Sequence, residues 1–176
     1  MRRLDVALSD VDRGVYEELE LRLAQHPSEA MRYLVARTLA YCLRYEEGIA
    51  FGKGISTAEE PAVVIRDLTG RLTAWIEVGT PTAERLHKAS KASPRLVVYT
   101  HNDPRFLIKE VASRPIHRLE AIEAFVLDPA FLDELGETLG RSARWELTHN
   151  DGQLYVAVDG RTLSSVVTPL ALAAAE

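Results

Sequence analysis

The sequence predicts an α/β fold: a mixed β-sheet flanked by helices, with an N-terminal hairpin and further strands near the C-terminus. Three observations carry this. Between Ser28 and Thr100 a helical pattern, a hairpin, a second helical pattern and an apolar strand run follow one another. Two strand-like runs precede that block, around a turn-forming cluster at Asp10–Gly14, and residues 143–167 are divided by two turn signals, Asn150-Asp151-Gly152 and Asp159-Gly160. The 176 residues fit one domain, spanning 1–176 and burying about two thirds of the surface of its unfolded chain.

The elements follow in order. Leu4–Leu8 and Tyr16–Leu23 read as the arms of the first hairpin; on the second arm Leu19, Leu21 and Leu23 alternate with Glu18, Glu20 and Arg22. His26-Pro27-Ser28-Glu29 opens a helix, with Ser28 expected as N-cap and Glu29 in the first turn, where its charge suits the helix dipole. Met31, Leu34, Val35, Thr38, Leu39 and Cys42 form its buried face, and the helix is expected to run to about Tyr45. Residues 48–60 read as a loop holding one short strand piece. Ala62–Asp67 and Leu72–Gly79 are two strands around a turn at Gly70. Along the second, Leu72, Ala74, Ile76 and Val78 point one way and Thr73, Trp75, Glu77 and Gly79 the other.

Thr80-Pro81 starts the next helix, which carries Arg85 and Lys88 on one stripe, with Lys91 beyond, and ends before Pro94. Arg95–Thr100 is a strand of the kind buried on both faces. His101–Pro104 starts a helix through about Ser113, Ile122–Leu127 is a strand, and Asp128-Pro129 starts a helix ending near Gly140. Trp145 is expected in the core and Ala171–Ala175 as a frayed end.

Composition narrows the chemistry. A single cysteine, Cys42, cannot form an intrachain disulfide and reads as a buried structural thiol. The formal net charge of −5 argues against a protein that coats nucleic acid by bulk electrostatics, though a localised basic face remains compatible with it. No apolar run approaches the about 20 residues of a membrane span, and the N-terminal Met-Arg-Arg-Leu lacks a signal-peptide core, so a cytoplasmic protein is expected. The five histidines, at 26, 87, 101, 117 and 149, match no zinc-protease spacing, and Gly48, Gly52 and Gly54 lack the ending of a P-loop. Oligomeric state leaves no trace in the sequence.

Chemistry concentrates between Asp67 and Lys88, where the hairpin carries one carboxylate on each arm and the following helix carries basic side chains. Two carboxylates beside a cation are a common way to hold a divalent metal next to a phosphate. Glu77 stands out, because a lone acid beside Trp75 in an apolar strand needs a partner, a metal or a cleft. Asp67 alone reads as a turn residue, and Lys88 alone as the partner of Glu84 four residues earlier. A two-residue turn at Thr69-Gly70 would pair Asp67 with Leu72 and place it opposite Glu77 across the sheet. A shared metal site therefore predicts a three-residue loop or bulge near Gly70.

His26-Pro27-Ser28-Glu29, Glu60-Pro61, Asp67 with Gly70, Trp75-Ile76-Glu77-Val78-Gly79, and Arg85 with Lys88 and Ala89 together resemble the YaeQ family of small bacterial proteins over essentially the whole chain. The resemblance implies a restriction-endonuclease-like fold, that of the PD-(D/E)xK superfamily, and with it a metal-dependent phosphodiesterase or nuclease acting on DNA or RNA. It places Glu29, Asp67, Glu77 and Lys88 as catalytic residues and Arg85 at the substrate. Asp67 and Glu77 would be ligands of Mg²⁺ or Mn²⁺. The lysine that usually follows the second acid by two positions is Gly79 here, so the cation would come from the next helix. The alternative is a non-catalytic interaction or regulatory protein that keeps the fold.

Overall fold

A computed structural model describes residues 1–53 and 60–173. The sequence-predicted loop over 48–60 and the frayed end over 171–175 lie partly outside them, at 54–59 and 174–175. The chain forms two compact units, one from Met1–Leu43 with Leu127–Thr168, the other from Arg44–Val126 with the segment that starts at Pro169.

The first unit holds a five-stranded mixed sheet. β1 (Arg2–Asp10) and β2 (Val15–Leu23) form the expected hairpin, and β8 (Ser142–Asn150), β9 (Gln153–Val158) and β10 (Arg161–Val166) follow the two turn signals. The order is β10-β9-β8-β1-β2, with β1 and β8 parallel and every other pair antiparallel. The strands from both ends of the chain thus constitute a sheet of their own, where additions to a single sheet were expected. Asp151, Gly152, Asp159 and Gly160 all have positive φ, as two-residue hairpin turns require.

One face of this sheet is apolar. Leu4, Val6, Leu8, Leu21, Trp145, Leu147, Leu154 and Val156 are buried, and Trp145 spends its indole N–H on Thr138 Oγ1 at 3.0 Å. Asp10 closes that face at the end of β1, accepting from Arg13 Nε at 2.8 Å and lying 3.0 Å from His149 Nδ1. Helices α1 (Met31–Leu43) and α4 (Pro129–Glu137) belong to the same unit. They meet where Gly136 lacks a side chain: a Cβ there would stand 2.8 Å from Met31 Cγ. Asp128 caps α4 by accepting from Ala130 N, with Pro129 in the first turn. Cys42 is fully buried, and that burial pushes its thiol up to about 12, which leaves it inert at neutral pH.

Helix α1 starts later than the sequence suggests, because Ser28 does not cap it. Ser28 N donates to His26 Nδ1, and the Ser28 hydroxyl lies 2.8 Å from the same nitrogen, so His26 takes the hydroxyl for a local turn. Glu29 accepts from His26 N and turns inward to Arg37.

The second unit holds a six-stranded mixed sheet in the order β11-β7-β6-β5-β4-β3. Its strands are β3 (Ile49–Phe51), β4 (Val63–Arg66), β5 (Leu72–Val78), β6 (Leu96–Thr100), β7 (Glu123–Val126) and the short β11 (Thr168–Pro169). β3 is the short strand piece expected in the connection. β6 is buried throughout, between parallel neighbours β5 and β7. Helix α2 (Ala83–Ala92) begins two residues after Pro81 because Thr82 caps it, accepting from Arg85 N. Helix α3 (Pro104–Ala112) is capped by Asp103. Leu86 and Ala89 of α2, Leu107 and Val111 of α3, and Leu96 and Val98 of β6 share one core with Leu172. Leu172 is 8 % exposed, so the reading of a frayed end does not hold there: its apolar side chain has a core to enter.

Candidate functional site

The β4–β5 hairpin shows where the proposed ligands stand. Asp67 N donates to Arg71 O and Gly70 N to Asp67 O, both at 2.9 Å, so Leu68-Thr69-Gly70 is a three-residue loop, with Gly70 at φ +84°. The irregularity expected near Gly70 exists, but a second one cancels it. Ile65 pairs with Ala74 and Arg66 with Leu72, leaving Thr73 as an extra residue on β5 whose hydroxyl donates to Ile65 O. Beyond this bulge Val64 pairs with Trp75 and shares the face of Trp75 and Glu77. Alternation along β4 therefore carries Asp67 to the other face.

Distance separates the two acids further. Val63 pairs with Ile76, so Glu77 lies across from Ala62, at the hairpin's base. From Ala62 to the tip at Asp67 the strand rises about 16 Å. One metal ion, with oxygen ligands at about 2–2.6 Å, cannot bridge them. Asp67 is instead engaged in its turn through one oxygen: Oδ1 accepts from Thr69 Oγ1 at 2.6 Å, Thr69 N at 2.9 Å and Arg71 N at 3.0 Å.

These bonds, led by the Thr69 hydroxyl, hold the Asp67 carboxyl below its ordinary value. A depressed carboxylate stabilises the turn fully above the unfolded value of about 3.9 and loses that contribution as pH falls through the folded value. An NMR titration is expected to find the Asp67 midpoint below about 3.9, and Thr69→Ala to bring it back toward that value.

Glu77 sits at the centre of a different cluster. Its Oε1 accepts from Trp75 Nε1 at 2.6 Å and its Oε2 from Arg85 Nε at 2.9 Å. Arg85 Nη2 also donates to the carbonyl of Glu60 at 2.6 Å, and the guanidinium lies 5.8 Å from the Trp75 ring centroid. The elements explain the meeting. Trp75 and Glu77 are neighbours on one face of β5, and α2 starts close after β5, so its first turn brings Arg85 over them. The Glu77 side chain is 7 % exposed and that of Arg85 28 %. Burial of the carboxylate is thus matched by a charge and two N–H donors.

The other expected catalytic residues are placed elsewhere. Lys88 is 75 % exposed and lies 3.8 Å from Glu84, a solvent-facing pair one helical turn apart. Arg85, expected at the substrate, is the cation that reaches Glu77. Glu29, in the other unit, is paired through both oxygens with Arg37, at 2.7 and 3.2 Å. Glu60 escaped the sequence reading as a site residue; its carboxylate accepts from Lys53 N, and its place beside Pro61, just before β4, was the signal.

A Mg²⁺ or Mn²⁺ site needs several oxygen ligands with lone pairs to give. Around Glu77 the described residues do not fit that need, because both oxygens of its carboxylate are bonded to N–H donors. Among the described residues no three His, Cys, Asp or Glu side chains come together as a group that could hold a metal. Among them, too, no helix is long and apolar enough to cross a membrane.

Comparison with known proteins gives one family. The model of the YaeQ protein family matches residues 1–167. The uncharacterized protein YaeQ of Escherichia coli (strain K12) is 26 % identical over 165 residues, covering 93 % of this chain and 91 % of that protein. The crystal structure of the YaeQ protein from Pseudomonas syringae superposes with a TM-score of 0.88 at 29 % identity, covering 96 % of this chain and 94 % of that one. For the YaeQ protein from Xanthomonas axonopodis pv. citri the TM-score is 0.84 at 32 % identity, with 96 % and 95 % covered. The match runs through both sheets and nearly the whole chain, and the chain belongs to the YaeQ family.

Proposed function

We propose that this protein is a non-catalytic interaction protein of the cytoplasm that keeps a restriction-endonuclease-like fold of the PD-(D/E)xK type. Nucleic acid, DNA or RNA, is the partner that this fold suggests. One observation carries the reading: the two oxygens of Glu77 are taken by the Trp75 indole and the Arg85 guanidinium. Asp67, about 16 Å along the hairpin, supplies no second ligand.

A second reading, a Mg²⁺- or Mn²⁺-dependent phosphodiesterase, draws support from the same cluster. A cation from the following helix does reach the strand carboxylate, and the backbone carbonyl of Glu60 accepts from the same guanidinium. A cleavage assay with Mn²⁺ on single-stranded, double-stranded and structured substrates separates the two. The non-catalytic reading expects no product above that of Glu77→Ala; cleavage by the parent protein that Glu77→Ala abolishes would overturn it.

A further inference from the structure

We infer that the second unit carries a phosphoryl-binding cavity, separate from the Glu77 cluster, formed by Arg71, Lys91, His117 and Arg118. The cavity, of about 320 Å³, lies between the hairpin end of β5, the last turn of α2 and the segment before a 3-10 turn at Leu119–Ala121. Its volume falls in the range of small-molecule sites, about 300–1,000 Å³. Leu72 and Pro94 supply apolar wall, and no described acidic side chain lines it. Three fixed positive charges without a carboxylate stand out on a chain whose net charge is −5.

The cations are available. None of Arg71, Lys91 and Arg118 takes part in an ion pair among the described residues. Asp67 feels Arg71 through space, while its own Oδ1 is bonded to Thr69 and to Arg71 N. The carbonyl end of α2 brings a partial negative charge of about half a unit, which Lys91 alone offsets.

The backbone under the site is fixed. His117 N donates to His87 Nδ1 and His117 O accepts from Ser90 Oγ, so two side chains of α2 clamp one residue of the facing segment from both sides. Arg118 follows at φ +51°, a left-handed conformation unfavourable for arginine, held by Ala121 N donating to its carbonyl. The clamp and this turn fix the backbone at Arg118, which lines the same cavity as Lys91, before any ligand arrives, and that lowers the cost of binding. Guanidinium and ammonium groups of residues that line one small cavity suit phosphoryl oxygens, through charge-assisted and bidentate hydrogen bonds. The phosphoryl group can come from a free organic phosphate or from the backbone of a nucleic-acid strand.

Calorimetric titration of the full chain with pyrophosphate, AMP, adenosine and a single-stranded oligonucleotide tests this. Arg71→Gln, Lys91→Gln and Arg118→Gly serve as variants, the glycine being at ease at positive φ. The phosphorylated probes should bind and adenosine should not, each substitution weakening binding about tenfold, with the melting temperature unchanged in Arg71→Gln and Lys91→Gln and not lowered in Arg118→Gly. Binding of pyrophosphate or AMP identifies a free phosphate as ligand; binding of the oligonucleotide alone, with the same dependence on the variants, identifies a strand. Phosphorylated probes that bind no better than adenosine, or that bind parent and variants alike, would overturn the inference. None of these residues belongs to the Glu77 cluster, so either outcome leaves the reading of that cluster as it stands.

Discussion

Arg37→Ala should unfold about 3–5 kcal/mol more easily than the parent protein in a urea titration, against the about 5–15 kcal/mol that holds a typical domain together. The Glu29 and Arg37 side chains are 1 % and 5 % exposed, so neither charge has water to fall back on. Arg37 satisfies both oxygens of Glu29 and donates as well to the carbonyl of Ala24, joining the end of β2 to the start of α1. Removing the guanidinium leaves a buried carboxylate whose one remaining donor among the described residues is the His26 N–H. Replacing both partners by methionine removes both charges together and should cost clearly less than the single change. A single-variant loss below about 1 kcal/mol would show that the pair is solvated and would return Glu29 to consideration as a working acid.

Glu77→Ala should cost about 2–3 kcal/mol, less than the first change because Arg85 is partly open to water and can recover hydration. The loss has two sources: the Glu77–Arg85 ion pair is removed, and the Trp75 indole N–H loses its acceptor. The sign matters more than the size. A carboxylate kept for catalysis commonly strains its surroundings, and its removal commonly stabilises a protein; one that holds a cluster together does the opposite. Urea titrations of Glu77→Ala and Arg85→Ala therefore report on role: losses in both support a structural Glu77, and a gain for Glu77→Ala would contradict it.

Much of the fold is legible because its signals are local. Asp-Pro at residues 103–104 and 128–129 marks the starts of α3 and α4, and Asp-Gly at 151–152 and 159–160 marks two hairpin turns, since each dipeptide meets a backbone need within a few residues. The separate five-stranded sheet rests on β1 lying parallel to β8, more than a hundred residues later, and such a pairing leaves no trace in either strand alone.

The site divides in the same way. Glu77 could be singled out because an acid within an apolar strand breaks the local pattern, and Trp75 shares its face by alternation. The bulge at Thr73 could not be read, because a threonine in a strand is ordinary; yet that bulge sets Asp67 on the other face. Ser28 looked like a cap only while His26 was ignored as its competitor. Choosing Arg85 over Lys88 depended on the Thr82 cap, which sets where α2 starts and so which side chain of its first turns overlies β5.

Calorimetric titration of the parent protein and of Glu77→Ala with Mn²⁺ tests the central claim, that Glu77 is committed to Trp75 and Arg85 rather than to a metal. The same heat trace for both proteins, with no saturable binding that depends on Glu77, is the predicted result. Stoichiometric Mn²⁺ binding by the parent that disappears in Glu77→Ala would contradict it.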